Sequence, residues 1–134
     1  MTQNTSNKLA AIDIGLKRIG VSISLGLGIV NPQPAILRKN RDQAANDVDK
    51  FLQEWEIDTL IVGFPSANID MQNRIKHFVG LLKFNKTTIF QEENMSSIEA
   101  EEQMKGEMKY KRDGRIDSLA AKIILERYLC SVSK

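Results

Sequence analysis

Apolar positions come in short blocks over the first third of the chain and at helical spacing afterwards. Leu9 to Ile14 is an apolar run interrupted only by Asp13, and a second run, Ile19 to Leu25, follows the Gly-bounded basic turn Gly15-Leu16-Lys17-Arg18. Runs of this length predict two strands joined by a tight turn. Beyond Gly26-Leu27-Gly28 the chain carries Pro32 and Pro34 before Ala35-Ile36-Leu37. Proline cannot donate to a ladder, so the third strand is predicted to be bent or at an edge. Asn40 or Asp42 then caps a predicted helix that carries Ala44, Val48, Phe51, Leu52 and Trp55 on one stripe and ends near Glu56.

Thr59 to Val62, closed by Gly63-Phe64-Pro65, is apolar without alternation, which predicts a strand buried on both faces of a parallel sheet. A helix from Met71 to Phe84 would place Ile75, Phe78, Val79 and Leu82 on one side, and Thr87 to Gln91 reads as the next strand. Two further helices are predicted at Ser96 to Met104 and Ile116 to Cys130, with the basic loop Lys109 to Arg115 between them. The resulting order, β-β-β-α-β-α-β-α-α, is an antiparallel meander continued by parallel crossovers. An α/β chain of this order, a five-stranded mixed sheet with helices on both faces, matches the ribonuclease H-like architecture. Residues 1–8 are polar and read as a disordered N-terminus, and residues 9–134 read as one domain.

A net charge of +2 and a pI near 8.7 do not by themselves announce a nucleic-acid binder, so any anionic partner must be held by local clusters of cations. The single cysteine, Cys130, lies in an apolar helical pattern and reads as core filler. No signal peptide is legible and no run approaches the ~20 apolar residues of a membrane span, which predicts a cytoplasmic protein without a membrane partner.

The chain has no P-loop, no His pair at metal spacing and no Cys cluster, and His77 stands alone as a surface or core-edge histidine. What remains is a set of carboxylates where strands end or helices begin. Asp13 sits inside an apolar strand, where an isolated charge costs several kcal/mol unless a strong positive partner holds it. Glu92 and Glu93 close the strand Thr87 to Gln91, and Asp117 opens the last helix, in step with Ala121, Ile124 and Tyr128. An acid in a first turn is also what the helix dipole favours.

If the first strand is central and the last helix packs beside it, Asp13, Glu93 and Asp117 converge on one edge of the sheet, where like charges need a cation. Oxygen ligands without His or Cys select Mg²⁺ or Mn²⁺. Two such ions, ~3.5 to 4 Å apart, would clamp the attacking water and the leaving oxygen of a phosphodiester. Lys17 and Arg18 on the turn, and Lys111, Arg112 and Arg115 before Asp117, would meet phosphates without reading sequence. Tyr110 among the latter could stack on an unpaired base.

Four ordered stretches carry a family resemblance: Asp13-Ile14-Gly15-Leu16-Lys17-Arg18-Ile19-Gly20-Val21, Ile61-Val62-Gly63-Phe64-Pro65, Gln91-Glu92-Glu93-Asn94-Met95-Ser96-Ser97-Ile98-Glu99-Ala100 and Ile116-Asp117-Ser118-Leu119-Ala120-Ala121. From about Leu9 to Leu129 the chain resembles the YqgF-type pre-16S rRNA nucleases, also called Holliday junction resolvase-like proteins. The resemblance implies a ribonuclease H-like fold and metal-dependent endonuclease activity that matures the 5′ end of 16S rRNA precursor. It also implies Asp13, Glu93 and Asp117 as the metal-holding catalytic acids and Arg74 as a substrate-side cation. Two departures stand out. Asn94 replaces the family's arginine after the paired acids, and the loop after Pro65 is shortened to Ser66-Ala67-Asn68-Ile69-Asp70.

The expected partner is nucleic acid, precursor rRNA ahead of branched DNA, with ribosomal assembly particles as a setting and a monomer or weak homodimer as the working form. The alternatives are a Holliday junction resolvase, and a nucleic-acid-binding module that has lost turnover.

Overall fold

The computed structural model of the protein describes residues 7–26, 28–93 and 115–132. Five strands form one sheet: β1 (Leu9–Ile14), β2 (Arg18–Ser24), β3 (Asn31–Leu37), β4 (Thr59–Pro65) and β5 (Thr87–Glu93), in the order β3-β2-β1-β4-β5. β1 pairs antiparallel with β2 and parallel with β4, β2 pairs antiparallel with β3, and β4 pairs parallel with β5. The meander and the parallel strands thus stand as the hydrophobic pattern predicts. The predicted helix at Ser96 to Met104 lies outside the described residues.

The period of two divides each strand between two cores. Ala10, Ile12 and Ile14 of β1, with Ile19, Val21 and Ile23 of β2 and Leu60 and Val62 of β4, face helices α1 (Arg41–Glu54) and α2 (Ile69–Leu81). Leu9, Ala11 and Ile61 face the opposite way, onto Ile124 and Leu125 of α3 (Arg115–Val132). β1 and β4 are therefore covered on both sides, which is why they read as apolar runs without alternation.

Local chemistry sets the ends. Asn40 caps α1 by accepting from the Gln43 N–H, and the Gln43 side chain answers with bonds from the backbone N–H groups of Lys39 and Asn40, a reciprocal capping box. Asn68 caps α2 by accepting from Met71, so that helix begins two residues earlier than its apolar spacing predicts. β4 runs on through Gly63-Phe64-Pro65, and β3 starts at Asn31, before both prolines. β3 is an edge strand, as its prolines require, and its pairing with β2 shifts register between Ile19 and Val21.

Cys130 is exposed, a correction to its reading as core filler. The inward stripe of α3 runs through Ala121, Ile124 and Leu125, and position 130 falls off it. Of the polar N-terminal segment, residues 1–6 lie outside the described residues. Lys8 is held to β4, its N–H donating to Asp58 at 2.8 Å and its carbonyl accepting from Asp58 and Thr59. No helix among the described residues is long and apolar enough to cross a membrane.

Candidate active site at the carboxyl ends of the parallel strands

β1, β4 and β5 all end at one edge of the sheet, the place where open α/β sheets bind ligands. Asp13 is the penultimate residue of β1, half-buried, and by the two-residue period it shares the α3 side with Leu9 and Ala11. Its cross-strand neighbour on β2 is Gly20, which contributes no side chain beside the carboxylate.

The register also separates the two candidate glutamates of β5. Ile61 pairs with Ile89, Gly63 with Gln91 and Pro65 with Glu93, so position 93 belongs to the α3 side, like Ala11 and Asp13. Glu92 pairs with Phe64 and falls on the other side, where the Phe64 and Phe90 rings meet at a tilt of 59° with centroids 5.1 Å apart. Its side chain is exposed. Glu93 stands two strands from Asp13, roughly 10 Å across the sheet.

Asp117 lies in the first turn of α3, and Arg115 is that helix's first residue. The same turn is fastened to the sheet by Ser118. Its buried hydroxyl accepts from the Val21 N–H at 3.4 Å and donates to the Gln33 carbonyl at 2.5 Å, at the point where the β2–β3 register shifts. One turn on, the Ser22 hydroxyl donates to the Ala121 carbonyl at 2.8 Å. These bonds set α3 against the strand paired with β1. Nothing in the hydrophobic pattern singles out Ser118, because a serine in a helix's first turn is ordinary.

The turn after Asp13 is closed by a bond from the Gly15 N–H to the Arg18 carbonyl, 2.9 Å. A Cβ on Gly15 would lie 2.7 Å from that same oxygen, so the close approach itself demands glycine. Lys17 is exposed and Arg18 half-buried on this turn. Arg38, just past β3, braces it twice: its N–H donates to the Lys17 carbonyl at 2.9 Å and its Nη1 to the Gly15 carbonyl at 2.6 Å. Burial, then the charges of Arg41 and Arg74, hold the Arg38 guanidinium below its ordinary pKa. Arg74 is exposed on α2 and shares a cavity with Arg38 and Arg41.

Sequence reasoning overlooked Arg38 and Arg41. The available signal was Arg41 as the first residue of a capped helix, where the dipole disfavours a cation. Lys111, Arg112, Tyr110 and Asn94 lie outside the described residues.

Residues 7–131 match the family model of RuvX, described as Holliday junction resolvase. A relative from Sulfurovum sp. named pre-16S rRNA nuclease is 58% identical over 125 residues, covering 91% of this chain and 98% of its own. Another of that name, from Sulfurimonas denitrificans, is 54% identical over 125 residues, 91% of this chain and 96% of its own. Among solved structures, T. thermophilus RuvC in complex with a Holliday junction substrate aligns with a TM-score of 0.54 at 13% identity, covering 94% of this chain and 96% of that one. At that identity the likeness speaks for the fold, the ribonuclease H-like one read from the order of elements.

Proposed function

Because this chain belongs to the RuvX family of Holliday junction resolvases and is a nuclease by that kinship, we propose that it hydrolyses phosphodiester bonds of the 16S rRNA precursor. Asp13, Glu93 and Asp117 are the catalytic acids of this reading. The observation that carries it is the shared edge: Asp13 and position 93 fall on the same side of the sheet at the carboxyl ends of β1 and β5, and α3, which begins with Arg115 and Asp117, packs over β1 and β2 on that side.

Three carboxylates without His or Cys are a donor set that fits Mg²⁺ or Mn²⁺, and Asp13, Glu93 and Asp117 would hold the ions. Bound there, the metal supplies charge neutralisation at the phosphoryl oxygens and a more acidic attacking water. The chain's own groups do the rest. Gly15 lets the turn after Asp13 close on the Arg18 carbonyl, and Gly20 places no side chain at the position paired with Asp13 on β2. Lys17 and Arg18 on the turn, Arg74 on α2, and Lys111, Arg112 and Arg115 before Asp117 hold and position backbone phosphates. The setting of this work is the cytoplasm, on ribosomal assembly particles.

The test uses purified protein, precursor rRNA with and without Mg²⁺, and mapping of the product ends. Asp13→Asn should melt like the native protein and lose cleavage by at least about 100-fold. Full activity of that variant in a pure preparation overturns the assignment. The description of the matched family favours a second substrate, four-way DNA junctions, so the same preparations are offered a junction. Cleavage of the junction with intact precursor RNA would move the proposal from rRNA to branched DNA.

A further inference from the structure

Two cavities in the described residues contrast in how their charges are met. The larger, of about 900 Å³, opens at the amino ends of the parallel strands, and two of its lysines are met by carboxylates. Lys8 lies 3.4 Å from Glu56, Lys86 lies 3.7 Å from Asp58, and Asp49 accepts from the backbone of Lys83 and Phe84. The smaller, of about 450 Å³, opens at the carboxyl end of β1 on the α1 and α2 side, lined in part by Ile14, Leu16, Arg38, Arg41, Arg74 and His77. Here three guanidinium groups meet, and among the described residues none of them forms an ion pair with a carboxylate.

Arg38 and Arg41 are held instead by other acceptors. Arg38 donates to the Gly15 carbonyl and lies over the Phe78 ring, 5.4 Å from its centroid. Arg41 Nη1 donates to His77 Nε2 at 2.8 Å, since a guanidinium has only donors to offer. Each guanidinium has five N–H groups, and these side-chain bonds engage one apiece on Arg38 and Arg41. Arg41 also stands at the first position of α1, so the positive end of that helix adds to the potential instead of offsetting it. Holding like charges together in this way costs stability, and an anion in the cavity would recover it. Planar forks with unused donors suit the oxygens of a phosphate.

We propose that this cavity is a seat for a phosphate group of the nucleic-acid strand, gripped by Arg38, Arg41 and Arg74. The inference rests on the nuclease reading and adds a contact on the opposite side of the sheet from Asp13. Ile14 lines the cavity and follows Asp13 directly, so a strand that reaches the acids need only cross the edge of β1 to enter the seat. Arg38 joins the two places, because the side chain that lines the seat also braces the turn two residues past Asp13. Internal phosphodiesters and a terminal 5′ phosphate share the chemistry the seat recognises.

The experiment measures affinity of the full-length protein for a labelled single-stranded RNA by fluorescence anisotropy, in EDTA to prevent cleavage and across a series of salt concentrations. Arg41→Gln and Arg74→Gln remove charge from exposed side chains and leave the core intact. Lys50→Gln removes an equal charge from α1, where Lys50 is exposed and does not line the cavity. Each arginine variant should bind about 10-fold more weakly and lower the salt slope by about 0.7, the loss of one phosphate contact. Lys50→Gln should stay within about two-fold.

Comparing 5′-phosphorylated with 5′-hydroxyl RNA separates the sources. A loss shared by both assigns the seat to an internal phosphodiester, and a loss confined to the phosphorylated RNA assigns it to the terminus. Arginine variants that bind and titrate like Lys50→Gln, while native protein binds well, overturn the seat and leave the nuclease reading standing. Native protein that binds neither RNA nor junction DNA overturns both.

Discussion

Replacing Ser118 by alanine isolates the joint between α3 and the sheet. The hydroxyl is 4% exposed and has two partners, the Gln33 carbonyl at 2.5 Å and the Val21 N–H at 3.4 Å. The short bond is the costly one to lose, since it leaves a part-buried carbonyl without its donor, at about 1 to 2 kcal/mol. The long one lies beyond the usual hydrogen-bond range and adds a few tenths, about 0.5 kcal/mol at most. The total is about 2 kcal/mol, which for a chain of 134 residues corresponds to a fall in Tm of about 6 to 8 °C.

Urea denaturation followed by circular dichroism reads this directly, with the slope unchanged because no additional surface is exposed. Ser22→Ala is the internal reference. It removes one bond of 2.8 Å to the Ala121 carbonyl in an equally buried place and should cost about 1 kcal/mol. A Ser118→Ala variant within about 0.5 kcal/mol of the native protein would refute the reasoning, because a hydroxyl that bridges a register shift cannot be removed without leaving backbone groups unpaired. The first turn it fastens is the one that carries Asp117, so cleavage should fall with the stability.

Two further substitutions probe the backbone. Gly15→Ala drives a methyl group to 2.7 Å from the Arg18 carbonyl, so the turn must open, at a cost of about 1 to 3 kcal/mol in thermal or urea denaturation; a neutral result would mean that the turn yields freely. Glu56→Gly should instead stabilise, by up to about 1 kcal/mol, because residue 56 closes α1 with φ at 54° and the ion pair it makes with Lys8 is exposed and contributes little. A lower urea midpoint for that variant counts against the prediction.

The strands and helices of the described residues were legible because their signals are local. Apolar runs without alternation at Leu9 and Thr59 require burial on both faces, and the stripe on α1 requires a core on one side, whatever the rest of the chain does. Asp13 was legible for the same reason, as a charge inside such a run. Cys130 was misjudged because an apolar neighbourhood in sequence does not settle which side of a helix a residue takes, and the stripe of α3 passes it by.

The acids of β5 show where local signals stop. Glu92 and Glu93 are neighbours that must take opposite sides of the sheet, and only the pairing of Gly63 with Gln91 and of Pro65 with Glu93 assigns position 93 to the side of Asp13. Register is a relation between strands far apart in the chain, which no run of neighbouring residues encodes. Arg38, Arg41 and Arg74 are likewise unremarkable one by one, at the end of a strand, the start of one helix and the middle of another. The crossover from β3 through α1 to β4 and α2 is what brings them into one cavity. The sequence determined which elements form and which carboxylate stands in the apolar strand. Tertiary structure decided which side each acid takes and which cations meet, because both depend on contacts between segments that are distant along the chain.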